Sequence, residues 1–455
     1  MPVSFIRASL LASAVAAIAA SAALAQDGWV SAVDKIDGSV RAGSRDVPVK
    51  PGDDTSVQIR NVEPGSTYTV LHGATALNDA PVTADEKGAA DVKFTVPADA
   101  EIGTIPLTIV GQNPSAAQIV KLKLSQVVPA SGEDAFTLTT APAGERAYQS
   151  AVSADGKLYV TSARGTGVET TLKVYDAATL EPEGEFEIPQ SADAEDGLVD
   201  VLGVGVDDKN GKLWTTNTLN DTVTVYDIAT KKAEKVFDEG SIQHPYDAVI
   251  DVENNRAYVS AGLTGHVKVY DATTYEPLDG LFFEGDGGRQ VFGLMNLDLD
   301  VANGKIYATS RDSSYVGWAD LKTGETTAVE VEGLIGASSI AHDPETGRLY
   351  VASQDLNSLL VLDAEGKEIA NTQVGAGAIS VAWNPVTKQA FVATRAGGTV
   401  AVLDGDGKLV ANLPVGELPN HVVVDKDGAV FAVTMNGPAG DDDKSGAVTR
   451  IVAKQ

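Results

Sequence analysis

The stretch Leu158-Tyr159-Val160-Thr161-Ser162, followed by Tyr175-Asp176-Ala177-Ala178-Thr179-Leu180, sets a pattern that runs through most of this chain. The first run surrounds an aromatic residue with small or β-branched residues, and the second contains an aspartate directly after a tyrosine. A turn at Asp155-Gly156 precedes the first run. Runs of this composition, bounded by such turns, predict two adjacent strands of an antiparallel sheet.

The aromatic position of this pattern recurs six more times, at spacings of 40 to 55 residues. The seven aromatic residues are Tyr159, Trp214, Tyr258, Tyr307, Tyr350, Phe391 and Phe431. Repeats of about 40–50 residues with four strands each are typical of β-propeller blades. A closed ring of such sheets leaves no exposed ends, unlike an open stack. The sequence therefore predicts an all-β chain with a seven-bladed β-propeller over residues 136–455.

The two ends of the repeat region favour ring closure. The last repeat stops after residues 447–453, one strand short of four, and Phe136–Thr140 is a spare strand before the first repeat. We expect Phe136–Thr140 to complete the seventh blade as its outermost strand.

Residues 26–130 show a different pattern, of short strands separated by turn residues. The predicted strands are Thr55–Val62, Thr67–Leu71, Ala90–Val96, Ile105–Val110 and Ile119–Val127. About a hundred residues of this kind, without a helical period, predict a small immunoglobulin-like β-sandwich. A polar segment that contains Pro and Gly follows the sandwich, and it predicts a linker over residues 131–135.

Residues 1–25 have the composition of a signal peptide. Arg7 provides the positive charge, residues 10–22 are mostly apolar, and Ala23-Leu24-Ala25 fits a cleavage site. No later stretch approaches the roughly 18 apolar residues of a membrane-spanning helix. We therefore expect an exported protein of the periplasm, the cell envelope or the medium, without a membrane span. A short N-terminal anchor is the alternative for this segment.

The composition narrows the classes of function. The formal net charge is −29, and a chain this acidic is repelled by phosphate backbones, so nucleic acid is not an expected partner. The same charge favours solubility and a monomer. The chain has no cysteine, which excludes disulfides, zinc–cysteine and iron–sulfur sites, and thiol catalysis.

The Tyr-Val-Thr-Ser and Tyr-Asp-Ala-Ala-Thr-Leu motifs, in seven repeats after a signal peptide, resemble the YVTN-repeat β-propeller family and its exported, YncE-like members. The resemblance covers residues 136–455. It implies an exported seven-bladed propeller without an established enzymatic role, with some members linked to iron-limited growth or to ligand binding. The N-terminal sandwich departs from the family's single-domain pattern and indicates a tether or docking module.

When the repeats are aligned on the aromatic residue, one position of the innermost strand is polar in six of the seven repeats. It holds Gln149, Gly203, Asp247, Asn296, Ser339, Ser380 and His421. The position before it includes Tyr148, Tyr246 and Asn420. Gathered donors and acceptors with a few aromatic rings suit a polar small molecule. A water-filled channel with a polar lining is the alternative explanation.

Three arginines follow the second strands of repeats one, four and six, at the same predicted channel mouth: Arg164, Arg311 and Arg395. Arginine presents a planar fork of donors that suits carboxylate or phosphate. In so acidic a chain these residues would create a local positive potential, so the pattern predicts an anion site. Pairing with nearby acids, such as Asp312 or Glu169, or simple solvation is the alternative.

The sequence supports a metal site or a catalytic site less well than it supports the anion site. His244, His421 and Asp247 could together hold a transition metal, since imidazole and carboxylate suit zinc or iron, but no local ligand spacing supports them. We expect the Asp298 carboxylate to face the channel or to pair with a neighbouring blade, and His342 to be a packing or edge residue on a strand. Known catalytic motifs are absent, so we assign no catalytic residue and expect no cofactor.

We therefore expect a non-enzymatic binding protein that holds a small anionic molecule or an anionic metal chelate at the channel mouth. The resemblance adds a role in envelope iron or metal-complex handling. One alternative is a scaffold that docks another envelope protein, and a second is a divalent-metal-dependent hydrolase of lactone-type substrates. The predicted ligand-binding residues are Arg164, Arg311, Arg395, Tyr148, Gln149, Tyr246, Asp247, Asn296, Asn420 and His421.

Overall fold

The computed structural model describes residues 34–44, 46–163, 170–191, 197–285, 291–436 and 445–454. The chain divides into two compact units. The smaller unit comprises Met1–Ser44 and Pro51–Lys123, and the larger comprises Arg45–Lys50 and Leu124–Gln455. The predicted signal peptide, residues 1–25, lies outside the described residues. Within the described part, no helix is long and apolar enough to cross a membrane.

Short strands with alternating burial build the smaller unit. They are β1 (Ser39–Ala42), β2 (Asp54–Arg60), β3 (Thr67–His72), β4 (Thr75–Ala76), β5 (Val82–Thr83), β6 (Ala90–Thr95), β7 (Gly103–Gln112) and β8 (Ala116–Leu124). One sheet has the order β1-β2-β6, and the other has the order β4-β3-β7-β8 with β5 beside β3. Alternate residues point inward, so Val57, Ile59, Val70, Val92 and Ile109 form a fully buried core.

The last of these strands differs most from the sequence prediction. It begins and ends three residues earlier than Ile119–Val127. The chain turns away after Leu124, because Ser125 donates its N–H to the carbonyl of Val49 at 2.8 Å. Val49 also forms a parallel bridge with Leu124. This pairing joins the segment Arg45–Lys50 to the larger unit, a discontinuity that the sequence analysis does not anticipate.

Antiparallel strands in groups of four build the larger unit, and its described residues also include short 3₁₀ helices at Glu133–Ala135 and Thr218–Asn220. The strands up to β21 are β9 (Phe136–Glu145), β10 (Ala147–Val152), β11 (Lys157–Ser162), β12 (Thr171–Asp176), β13 (Pro182–Glu185), β14 (Gly203–Asp207), β15 (Lys212–Asn217), β16 (Thr222–Asp227), β17 (Lys232–Val236), β18 (Pro245–Asp251), β19 (Arg256–Ala261), β20 (His266–Asp271) and β21 (Pro277–Phe282). The others are β22 (Leu294–Asp300), β23 (Lys305–Ser310), β24 (Tyr315–Asp320), β25 (Thr326–Glu330), β26 (Ala337–His342), β27 (Leu349–Ser353), β28 (Ser358–Leu362), β29 (Glu368–Gln373), β30 (Ala378–Asn384), β31 (Gln389–Thr394), β32 (Thr399–Asp404), β33 (Leu409–Pro414), β34 (Pro419–Val424), β35 (Val430–Thr434) and β36 (Ser445–Ala453).

In the described part of the chain these strands form seven four-stranded sheets, numbered here in chain order. Sheets 1 to 6 each contain four consecutive strands and begin with β10, β14, β18, β22, β26 and β30. Sheet 7 has the order β34-β35-β36-β9. The first strand of each sheet contacts the first strand of the next, and β34 contacts β10. The sheets therefore close into a ring, which is the architecture of a β-propeller.

The ring is closed by a strand from before the first repeat. Phe136–Thr140 lies at the outer edge of sheet 7, where the sequence predicts it, as part of the longer strand β9 paired with β36. Phe136 is buried and meets the ring of Phe391 in sheet 6 edge-on, with centroids 6.3 Å apart. The predicted linker is attached to sheet 6, because Ser131 and Asn412 exchange backbone hydrogen bonds.

The seven repeated aromatic residues lie on the second strands and are buried in the clusters between neighbouring sheets. Tyr159 of sheet 1 illustrates this arrangement, since it packs with Val204 and Leu213 of sheet 2. Its ring and that of Tyr226 both contact Phe186 edge-on, at 6.0 and 5.8 Å. Each sheet thus presents a large side chain to its neighbour, which explains why the aromatic residue recurs once per repeat.

Candidate functional site

The predicted ring of polar residues lies at a bulge of the first strands. In six of the seven described sheets, the pairing of the first and second strands shifts register at this position. Sheet 2 pairs regularly and carries Gly203 there. A Cβ on Gly203 would come within 2.4 Å of both Thr216 Oγ1 and the Tyr246 carbonyl oxygen, so no side chain fits. Because a bulge redirects side chains, simple alternation does not show where these residues point.

Side chains at four ring positions bind the backbone N–H groups of the next sheet. The four pairs are Asp247 Oδ2 with Leu297 (2.9 Å), Ser339 Oγ with Val381 (3.1 Å), Ser380 Oγ with Val422 (3.2 Å), and His421 Nδ1 with Ser150 (3.3 Å). The inner edge of each first strand has no partner strand, so its N–H groups need other acceptors. These polar residues therefore hold neighbouring sheets together, a role that the sequence analysis does not predict.

Asp247 is a buried carboxylate held by three donors. It accepts hydrogen bonds from the N–H groups of Leu297 and Ala248, both at 2.9 Å, and from the amide of Asn296 at 3.3 Å. Burial raises the pKa of Asp247 to about 6, although these three donors favour its charged form. Nearby Asp298 adds to the increase in that pKa. Gln149, at the same position of sheet 1, is also buried.

Five predicted site residues from five sheets come together at the starts of the first strands: Tyr148, Tyr246, Arg311, Arg395 and Asn420. Burial raises the pKa of Tyr246 well above its usual value, and adjacent Tyr148 adds to the increase, whereas Arg311 opposes it. Asn420 donates a hydrogen bond to the Tyr148 carbonyl at 2.9 Å and accepts one from Arg395. The group thus forms a connected cluster at one end of the ring.

The three predicted arginines have different surroundings. Arg164 lies outside the described residues. Arg395 is only 6% exposed; its guanidinium donates to the sulfur of Met435 at 3.1 Å and has its Nε 3.5 Å from Asp46 Oδ1. Arg311 is exposed at the rim. Of the two arginines that are described, Arg311 is therefore the one that a ligand can reach from solvent.

The three candidate metal ligands do not combine into a metal site in the described part of the chain, where no group of three or more potential ligands is positioned to hold an ion. His244 precedes β18 in a left-handed backbone conformation with φ of 47°. His421 lines the interior of the ring, and burial lowers its pKa to about 4. Its imidazole is therefore neutral at neutral pH, and Nδ1 is an acceptor. The Asp247 carboxylate accepts hydrogen bonds from Leu297 and Asn296 of sheet 4.

A cavity of about 600 Å³ lies inside the ring of first strands. All seven first strands line it, from the polar ring position to the turns at the strand ends. It therefore extends away from the predicted channel mouth, on the opposite side of the polar ring. Its wall combines polar groups with aliphatic residues such as Val152, Val206, Ile250, Leu299 and Val424. The titratable residues among its described lining are Asp208, Asp247, Asp298, His342 and His421.

In this cavity Asp298 pairs with His342 across sheets 4 and 5. Asp298 Oδ2 lies 2.5 Å from His342 Nδ1 and accepts the backbone N–H of His342 at 2.7 Å. His342 Nε2 lies 3.5 Å from Asp300 Oδ2, and its ring stacks on Tyr307. Burial disfavours the imidazolium, but Asp298, Asp300 and Asp343 outweigh that effect and raise the pKa of His342. The expected pairing of Asp298 is found, whereas His342 is more than the packing residue predicted from the sequence.

No protein-family model and no curated protein matches this chain. Solved structures match it by fold. The WD40 repeats of RRP9 align with a TM-score of 0.56 at 12% identity, covering 72% of this chain and 100% of that one. The larger unit is a β-propeller.

Two further solved structures agree with this assignment. A chain of Kuenenia stuttgartiensis hydrazine synthase aligns with a TM-score of 0.55 at 16% identity, covering 68% of this chain and 96% of that one. U3-55K aligns with a TM-score of 0.54 at 10% identity, covering 69% of this chain and 98% of that one. At such low identity these similarities concern the propeller fold alone.

Proposed function

We propose that this protein is an exported binding protein in which an immunoglobulin-like sandwich precedes a seven-bladed propeller of the YVTN-repeat type. Seven four-stranded sheets among the described residues support the blade number, and the Tyr-Val-Thr-Ser motifs support the repeat type. Two sheets among the described residues of the smaller unit, with buried residues at alternate positions, support the sandwich. The composition of residues 1–25 supports export.

The proposed ligand is a small anion, or an anionic metal chelate, bound at the starts of the first strands. The observation that carries this proposal is the connected cluster of Tyr148, Tyr246, Arg311, Arg395 and Asn420. It combines two guanidinium groups with neutral hydrogen-bonding side chains in a chain whose net charge is −29. Asp46 partly offsets the charge of Arg395, so exposed Arg311 beside the neutral donors Tyr148 and Tyr246 is the guanidinium group that favours a carboxylate or phosphate.

The residues of the cluster have different proposed roles. Exposed Arg311 contacts the anion directly, and the hydroxyl groups of Tyr148 and Tyr246 are additional donors. Buried Arg395, which also pairs with Asp46, orients Asn420 from below. Asp247, Asn296 and His421 lie beneath the site and connect the sheets that carry it. Arg164 remains a predicted member from outside the described residues.

Isothermal titration of the chain from Gln26 onward tests the proposal, with citrate, ferric citrate and glucose 6-phosphate as probes. We expect at least one probe to bind, and Arg311→Gln to weaken its binding by about 10- to 100-fold, the range for a hydrogen bond to a charged group. Arg41→Gln makes the same chemical change at an exposed position of the smaller unit and should leave binding unchanged. Binding that Arg311→Gln leaves intact contradicts the site.

Docking of another envelope protein is a second candidate function. Four exposed apolar residues lie in the connections at the same end of sheets 2 to 5: Leu219, Leu263, Val291 and Ile335. Exposed apolar residues that share one surface are a feature of protein contacts. If none of the anions binds, this candidate is favoured over the anion site. A lactone-type hydrolase has no comparable support, and lactone turnover abolished by a chelator would be the result in its favour.

A further inference from the structure

The central cavity has a charge opposite to that of the anion site. Three aspartates and two histidines are its titratable lining residues, and the described lining contains no lysine, arginine or glutamate. Asp208 is exposed at the end where the first strands finish, whereas Asp247 is buried at the polar ring. The carboxylates therefore lie along the length of the cavity.

The two histidines do not neutralise these carboxylates. His421 is neutral at pH 7.5, since burial lowers its pKa to about 4. His342, when protonated, is shared between Asp298 and Asp300, so it offsets at most one of two negative charges. Asp247 has a pKa of about 6 and is mostly ionised at pH 7.5. The cavity therefore has a net negative charge near neutral pH.

Asp298 is held in one orientation. His342 and its backbone N–H both bind Oδ2 of Asp298, at 2.5 and 2.7 Å, and no described residue forms a hydrogen bond with Oδ1. The carboxylate is 29% exposed in the cavity lining. Beside it, Asn296 is 7% exposed, and its side-chain oxygen has no hydrogen-bond partner in the described part of the chain. A ligand with a cationic donor would meet two acceptors that are already positioned.

We propose that the central cavity binds a small organic cation, in which a protonated amine contacts Asp298 and an apolar body lies against the aliphatic residues of the wall. The volume of about 600 Å³ is within the usual range of small-molecule sites, roughly 300–1,000 Å³. A bare divalent ion fits less well, because it requires several oxygen ligands and would leave Val206, Ile250 and Leu299 without contacts. This site is separate from the anion site and does not depend on it.

The proposal is tested by titrating the chain from Gln26 onward with three probes at pH 7.5 and low salt. The probes are 2-phenylethylamine, its neutral analogue 2-phenylethanol and its anionic analogue 3-phenylpropionate. The amine should bind at least tenfold more tightly than the alcohol, and the carboxylate should not bind. Asp298→Asn should weaken amine binding at least tenfold without affecting the alcohol. Asp279→Asn, on the exposed outer strand of sheet 3, is the matched control and should behave as the parent chain.

A second variant covers the case in which Asp298→Asn does not fold. Asp208→Asn changes an exposed residue at the cavity opening and should weaken amine binding by about two- to fivefold, as for a solvent-exposed charge pair. Equal affinity for amine and alcohol overturns the proposal, as does amine binding that neither variant reduces. Calcium that binds the parent chain through Asp298 while the amine does not bind would also overturn it, in favour of a metal site.

Discussion

The imidazole of His342 lies between the carboxylates of Asp298 and Asp300, so its protonation affects the contact between sheets 4 and 5. The His342 side chain is 11% exposed and the Asp300 side chain 4%. Charges that are this far buried interact more strongly than surface pairs, and removing one partner leaves the other without compensation. The same pair orients Asp298 toward the proposed amine, which links the stability of the ring to ligand binding.

This arrangement predicts that His342→Asn destabilises the propeller more at pH 5.5 than at pH 8.5. The pKa of His342 is raised in the folded state. The stability that protonated His342 contributes is therefore fully present below the pKa that His342 has in the unfolded chain. It is lost as the pH rises through the pKa of His342 in the folded protein. We expect a loss of about 1–3 kcal/mol in the acid range. Urea unfolding followed by tryptophan fluorescence measures it, since Trp214, Trp318 and Trp383 report on the larger unit.

The control for this experiment is His266→Asn, which alters an exposed histidine on β20. It should change the unfolding free energy little, and equally at both pH values. A His342→Asn variant whose loss of stability is independent of pH would show that only packing on Tyr307 matters.

At the scale of the elements, aspartates that end the third strands close the turns to the fourth strands. In four sheets the aspartate side chain accepts hydrogen bonds from backbone N–H groups two or three residues later in the chain. The residue three positions after each aspartate is a threonine. The four aspartates are Asp176, Asp227, Asp271 and Asp320. Aspartate stabilises such turns because its side chain replaces a missing backbone acceptor. The recurrence of Asp in the repeat is therefore explained by turn formation, without a metal or a catalytic role.

Asp227→Ala should destabilise the propeller by about 1–2 kcal/mol, since it removes the acceptor for Thr230 and one partner of Lys212. Lys212, followed by Thr230, lowers the pKa of Asp227 to about 2. The stability that ionised Asp227 contributes is therefore present above the pKa that Asp227 has in the unfolded chain, and it is lost as the pH falls toward 2. Urea unfolding at pH 6 and at pH 3 measures both effects.

Lys232→Ala provides the comparison, because the Lys232–Glu187 pair is about 70% exposed on both sides, with values of 69% and 71%. Exposed pairs contribute about 0–1 kcal/mol, so this variant should unfold close to the parent chain. Equal losses in the two variants would contradict the role assigned to the turn.

The closing strand gives a second prediction at this scale. Phe136→Ala removes a buried ring that packs against Phe391, Leu413 and Ile451 in the cluster between sheets 6 and 7. A loss of about 3–5 kcal/mol is expected, as for other buried phenylalanines. Phe282→Ala, at a residue 48% exposed, should cost much less. Thermal unfolding of the two variants measures the difference. If the outer strand were not needed to close the ring, both substitutions would lower Tm by similarly small amounts.

At the scale of the whole molecule, the net charge of −29 opposes compaction. Raising the ionic strength from 0.01 to 0.15 M shortens the Debye length from about 30 to about 8 Å, which screens repulsion between distant carboxylates. We expect a stabilisation of about 1 kcal/mol, or about 2–4 °C in Tm. Sucrose at matched osmolality controls for non-ionic effects. A Tm that falls with sodium chloride would show that attractive pairs, such as Lys212 with Asp227, dominate instead.

Much of the fold could be predicted from local sequence. The buried aromatic residue, the turn before it and the aspartate that ends the third strand each depend on neighbours in the chain, so Tyr159, Asp155 and Asp176 suffice to identify a repeat. The spare strand at Phe136 follows from counting, because the last repeat lacks one strand. The functional site could be predicted less well from local sequence. The place of a residue in the polar ring does not show whether its side chain contacts a ligand.

By itself, the sequence determined the repeat, the number of polar ring positions and the acidity of the chain, because these depend on residue type and spacing. Only the tertiary structure decided what the polar residues contact. Bulges redirect the ring side chains to the next sheet, Arg395 is buried beside Asn420, and His342 meets Asp298 from a strand 44 residues away. Such contacts join residues of different repeats, and their geometry arises only when the ring closes.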